Sequence, residues 1–192
     1  MRIAVFGGRF DPPHLGHLWV ARQIKDYVPD VSHVLLVPAN QHQWKPTEAS
    51  SKDRLAMIEM LCEEGIVPSN IELRRGGISY SIDTIKAVKK ETGSEMYWII
   101  GSDILTEFDR WEKKDELLKE ATFLVFPRDP YHLPTNIPSG FKVLDNPDLL
   151  TSNLSSTIIR RRIKKNLSIH EFVPPKVEEY IFKHNLYETY ER

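Results

Sequence analysis

Short apolar runs alternate with longer amphipathic stretches from the first residues onward. Ile3-Ala4-Val5-Phe6 carries no polar position and closes on Gly7-Gly8, the pattern of a strand buried on both faces. From His14 to Val28 the period changes, and Leu18, Ala21, Ile24 and Val28 recur at helical spacing. "HVLLVP" predicts a second buried strand stopped by Pro38, followed by the polar loop "ANQHQWKPTEASS". Ser50 or Ser51 suits a helix N-cap, after which Leu55, Ile58 and Leu61 share a face. "NIELRR" predicts a third strand. "IDTIKAVKKETG" predicts a helix that Gly93 ends, "MYWII" a fourth strand broken by "GSD", "TFLVFP" a fifth and "FKVLD" a sixth. Two helices close the chain: "SSTIIRRRIKKN" opens on hydroxyl residues and "PPKVEEYIFKHN" on prolines.

This alternation implies an α/β fold, a Rossmann-like, doubly wound, mostly parallel sheet with helices on both faces and a helical C-terminal part. With 192 residues and no repeat, low-complexity tract or Gly/Ser linker, the expectation is one domain over 1–192, its helical end starting near 153. "PRDPYHLPTNIPSG" reads as a surface loop. The composition is 41% hydrophobic, enough for a buried core, and the net charge of -1 gives no global attraction to nucleic acid or to a membrane. "MRIAVFGG" begins no signal peptide or membrane span. Cys62, the single cysteine, lies in an apolar stripe and reads as a small buried hydrophobe. A reducing cytoplasm fits these features, and nothing in the sequence signals an oligomeric state.

In a doubly wound sheet, ligands sit beyond the carboxyl ends of the strands. "GGRFDPPHLGH" and "GSD" occupy two such ends. The diglycine lets a ligand approach the backbone closely, and a helix starting near His14 offers free N–H groups and a dipole that favour an anion. His14 and His17, three residues apart, can project from one side of the first turn. Gly16 between them costs about 1 kcal/mol relative to alanine, so packing or an open face must require it. Together these features describe a phosphate site. A metal site would need three or four ligands, and although Asp11 is near, no further His or Cys completes a set. Two surface histidines on a capped helix are the bland alternative.

"GGRFDPPHLGH" resembles the "G-x-F-D-P-x-H-x-G-H" signature of the nucleotidylyltransferase superfamily, and "NLSSTIIR" resembles its second element, "I-S-S-T-x-I-R", with Leu154 in place of isoleucine. "WKP", "SYSIDT", "GSDILTEFDRW" and the tail "FVPPKVEEYIFKHNLY" are similar, in order, to motifs of the bacterial nicotinate-nucleotide adenylyltransferases. The resemblance implies transfer of AMP from ATP, accompanied by magnesium, to nicotinate mononucleotide, giving deamido-NAD and pyrophosphate. It implies that His14, His17 and Arg160 are catalytic and that Gly7, Gly8, Arg9, Phe10, Gly101, Asp103, Ser155, Ser156 and Thr157 join them in holding ATP. Lys45, Thr84, Trp111 and Arg128 fall, by the same resemblance, to the mononucleotide, with Trp111 stacking on the pyridine ring. No metal ligand in the protein is implied.

Two positions depart from the family pattern. Arg9 stands where serine or threonine is usual, and "NQHQWK" replaces the usual proline-histidine-lysine loop. Other readings compete with the main expectation. Nicotinamide mononucleotide is the near alternative substrate. Pantetheine-phosphate or cytidylyl transfer shares "HxGH" but leaves "SYSIDT" and "FDRW" unexplained. A non-catalytic nucleotide sensor on the same scaffold would be expected to lack one of His14, His17 or Arg160, and all three are present. The basic run "RRRIKK" reads as a solvated helix face rather than a nucleic-acid site.

Overall fold

The computed structural model describes residues 1–105, 107–131, 133 and 136–188. Strands β1 (Arg2–Gly8), β2 (Val31–Pro38), β3 (Ile66–Pro68), β4 (Met96–Gly101), β5 (Thr122–Phe126) and β6 (Phe141–Val143) form one parallel sheet in the order β3-β2-β1-β4-β5-β6. The order reverses between β1 and β4, and such a reversal opens a crevice at the carboxyl ends of the two strands. Gly7-Gly8 ends β1 and Gly101 ends β4, so the two predicted ligand-binding segments flank that crevice.

Successive strand residues supply opposite faces, as the pleat requires. Ala4, Val34, Ile99 and Leu124 pack on one face against Leu18, Ala21 and Ile24 of α1 (Leu15–Tyr27) and Ile58 of α2 (Ser51–Leu61). Val5, Trp98, Ile100 and Phe123 pack on the other against Ile82 and Ile85 of α4 (Ser81–Thr92) and Leu117 of α5 (Lys114–Glu120). Both faces are therefore covered, which is why the strands read as continuous apolar runs. Gly93 ends α4 in the left-handed conformation, and Ser50 caps α2 through Asp53 N–H.

The third predicted strand is misplaced. Residues 71–75 of "NIELRR" form a short helix, α3 (Ile71–Arg75), and the third strand is the three-residue Ile66–Pro68. Ile71 and Glu72 are adjacent and both buried, which a half-buried strand cannot arrange and a helix can. The true strand is too short to show a period, and its proline is tolerated because β3 is an edge. The Pro-rich segment after β5 is described except at positions 132, 134 and 135. There Tyr131 pairs with Arg128.

The last two helices, α6 (Ser156–Lys164) and α7 (Pro175–Lys183), pack on α2 through Met57, Ile159, Ile163, Val177 and Ile181. Residues 189–192 of the predicted helical end lie outside the described residues. Asp11, 1% exposed, joins this unit to the β1–α1 loop. Its carboxylate accepts from Glu48 N–H at 2.8 Å, Ala49 N–H at 3.0 Å and the Tyr187 hydroxyl at 2.9 Å. Its carbonyl accepts from Arg160 at 2.6 Å, and Ser156 donates to the neighbouring Pro12 carbonyl at 2.8 Å. Burial, then the adjoining Asp11 charge, drives the Tyr187 hydroxyl far above its ordinary pKa, so it is a permanent donor.

Among the described residues no helix is long and apolar enough to cross a membrane. Cys62 is half-buried, and burial, reinforced by Glu59 and Glu63, pushes its thiol up to about 12, an unreactive state. Tyr187→Phe removes one donor from a buried carboxylate and is expected to lower unfolding free energy by about 1–3 kcal/mol. Urea denaturation measures it, and an unchanged midpoint would deny the contact any stabilising role.

Candidate active site

The crevice is a cleft of about 360 Å³. Its floor is the end of β1, Phe6 to Arg9, and the end of β4, Ile99 to Gly101. Gly7 is required by packing as well as by access: a Cβ there would lie 2.9 Å from the Trp98 ring. Phe10 follows in a left-handed turn at φ 50° and is 2% exposed, its ring 4.8 Å from that of His17.

The two histidines are stacked, with ring centroids 3.6 Å apart. His14 is the N-cap of α1, and its backbone N–H donates to Nδ1 of His17 at 3.1 Å. That bond fixes the tautomer: Nδ1 of His17 is an acceptor, so the proton of the neutral ring sits on Nε2. Burial, then the Arg128 charge, depresses the His17 pKa to about 3, and burial with His17 and Arg128 depresses His14 far below the ordinary value. Both imidazoles are therefore neutral near pH 7. Gly16 also has its reason: a Cβ there would lie 3.0 Å from Nδ1 of His14 and 3.1 Å from its Cε1, so any larger residue would push this ring from its place over the helix.

Positive charge comes from elsewhere. Arg9, Lys45 and Arg128 all line the cleft. Arg128 bonds Asp103 at 3.1 Å and lies close enough to both imidazoles to lower their pKa values. Arg9 donates to the Pro46 carbonyl at 3.3 Å, linking the diglycine turn to the Lys45 loop. Trp44 in that loop carries the Arg110 guanidinium 5.1 Å from its ring centroid, beside Trp111. Trp111 lines the cleft, backed by Phe108 at 5.4 Å. At the same end stand Ser79 and Ser81, which bracket Tyr80, an N-cap whose side chain caps nothing in α4.

The cytidylyltransferase-like family model matches residues 5–162. A protein of Synechococcus sp. (strain JA-2-3B'a(2-13)) named "Probable nicotinate-nucleotide adenylyltransferase" is 37% identical over 97% of this chain and 96% of its own. One of the same name from Opitutus terrae is 39% identical over 97% of this chain and 98% of its own. The chain belongs to the nicotinate-nucleotide adenylyltransferase family. The Plasmodium falciparum nicotinic acid mononucleotide adenylyltransferase complexed with NaAD shares the fold, with a TM-score of 0.84 at 21% identity over 97% of both chains.

The structure gathers the family's motif residues unevenly. Gly7, Gly8, Arg9, His14, His17, Lys45, Gly101, Asp103, Trp111 and Arg128 line one cleft, with Phe10 packed behind it. Thr84 does not reach it. Thr84 is fully buried, its hydroxyl donating to Glu72 at 2.6 Å and its N–H engaged with the Tyr80 carbonyl, so Ser81 occupies the wall instead. Ser155 caps α6 through Ile158 N–H, Ser156 bonds Pro12, and Thr157 is exposed. Arg160 is taken by Glu48 at 2.8 Å and by the Asp11 carbonyl. Ser152 and Leu154, just before them, line the cleft.

Sequence reasoning missed Asp11 as a structural hub and Arg54 entirely. Arg54 is fully buried and donates to the Arg9 carbonyl at 2.8 Å, so it shapes the diglycine turn from behind. Apolar and polar positions are hardly segregated along α2, so no local signal marked Arg54 as buried. The tautomer and charge of His17 are directly measurable. Long-range ¹H–¹⁵N NMR should find its proton on Nε2 and no titration down to about pH 4. A midpoint near 6.5, or a proton on Nδ1, would contradict the geometry.

Proposed function

We propose that this cleft moves AMP from ATP to nicotinate mononucleotide, giving deamido-NAD and pyrophosphate. The observation that carries the reading is the pair of stacked, neutral imidazoles set among Arg9, Lys45 and Arg128 at the sheet's switch point. An oxygen of the mononucleotide phosphate attacks the α-phosphorus of ATP. The new P–O bond forms as the bond to the bridging oxygen breaks, and pyrophosphate leaves with that electron pair. No enzyme nucleophile is needed, because the attacking phosphate is already an anion.

What the protein supplies is alignment, worth up to ~7–11 kcal/mol, and donors aimed at developing charge, ~3 kcal/mol each. His17 Nε2–H and His14 act as donors to the triphosphate, not as bases, since neither is cationic near neutrality. Arg160 and the N–H groups at the start of α6 extend the cradle to the β- and γ-phosphates, with Ser155, Ser156 and Thr157. Arg160 would exchange Glu48 for a phosphate oxygen. Magnesium arrives on the triphosphate as part of the substrate. Gly101 and Asp103 face the ribose, and Trp111 stacks on the pyridine.

The acid is favoured over nicotinamide mononucleotide because the uncapped first turn of α4 offers N–H groups and a positive dipole end to a ring carboxylate. We read the reaction as cytoplasmic and the chain 1–192 as one nucleotidylyltransferase domain. His17→Ala should cut turnover by two or more orders of magnitude while ATP binding persists. Pyrophosphate release from ATP, with and without nicotinate mononucleotide, tests both points. Release that ignores the mononucleotide, or near-normal turnover in the variant, would refute the reading.

A further inference from the structure

Glu72 has no part in the account above, yet it lines the cleft while being only 4% exposed. The hydrogen bonds around it can be assigned atom by atom. Thr84 donates to Oε1 of Glu72 at 2.6 Å, a much shorter contact than its 3.3 Å to the Tyr80 carbonyl, and its oxygen accepts from Arg75 at 3.2 Å. Ser79 accepts from Asn40 N–H at 2.8 Å beside the same carboxyl. Oε2 is buried and makes no hydrogen bond of normal length, with Ser79 and Asn40 N–H near enough only to favour its charged form. An ionised oxygen left this way is costly, whereas a carboxylic acid there holds one O–H that lacks only an acceptor.

Its surroundings say what that acceptor is. Thr84, which Glu72 holds, lies one turn inside α4 from Ser81, so the carboxyl sits at the wall where the uncapped start of α4 meets the cleft. We propose that Glu72 is the specificity-determining residue for the pyridine substituent: as a neutral acid it donates its Oε2–H to the ring carboxylate, and once ionised it repels that carboxylate. The inference rests on the adenylyltransferase reading.

Burial raises the Glu72 pKa above the ordinary carboxylate range, outweighing Ser79, Thr84, Arg75 and Asn40 N–H, which favour the charged form. The charged groups facing it are Arg75 of its own helix and Arg54 of α2. From α4 it meets Thr84. His42, lining the same cleft, has its pKa lowered by burial and stays neutral above pH 6.5.

Calorimetry on the intact chain between pH 6.5 and 9 would compare the dissociation constants of nicotinate and nicotinamide mononucleotides. The two share one phosphate, so their ratio cancels its titration. The preference for the acid should fall at least fivefold as pH rises. In Glu72→Gln, which keeps a donor but cannot ionise, it should stay constant. A flat ratio in the unaltered chain, which needs no variant to fold, overturns the proposal, as does an identical slope in both proteins. Formation of dinucleotide with a flat ratio sinks the Glu72 assignment alone, whereas a chain that uses neither mononucleotide overturns the enzymatic reading beneath it.

Discussion

A carboxylate with 1% exposure must find donors inside the protein or lose far more free energy than a small domain can spare. Asp11 finds three, from positions 48, 49 and 187, while its own carbonyl receives Arg160. The approach to α2, the start of α6 and the end of the chain are therefore fixed relative to the β1–α1 turn. The "HLGH" and "SSTIIR" segments, 138 residues apart between His17 and Ser155, meet through this buried side chain and its neighbour Pro12. Neither imidazole touches the "SSTIIR" segment by a hydrogen bond. The cradle is held from behind.

In front, the cleft separates direction from charge. Arg9, Lys45 and Arg128 give it a positive field, while the stacked histidines provide neutral donors at fixed angles. The same Arg128 that would attract a phosphate also keeps both imidazoles from protonating. Arg9, which replaces a usual hydroxyl residue, faces the cleft and ties the turn to the loop of Lys45. The corner thus carries a cation where the resemblance leads one to expect a hydroxyl.

Most of the architecture was legible in the chain. Buried parallel strands are continuous apolar runs, helical periods separate them, and caps at Ser50 and Gly93 mark ends. The failure was local: Ile66–Pro68 is too brief for periodicity, and the apolar-polar alternation Ile71-Glu72-Leu73-Arg74 mimics the missing strand. The cleft residues at strand ends were readable for the same reason the strands were. Thr84, expected to offer backbone groups to the pyridine substituent, turns inward with its N–H on the Tyr80 carbonyl and its hydroxyl on Glu72, partners that spacing does not reveal. Asp11 and Arg54 were hidden by a different cause. Their roles depend on partners dozens of positions away, and no local pattern records a tertiary hydrogen bond.

The bond between Tyr187 and Asp11 joins positions 176 apart in sequence. Closing so long a loop costs more entropy and takes longer than winding a helix or pairing neighbouring strands. The sheet can therefore assemble first, and the corner that bears both histidines is completed only when this distant contact forms.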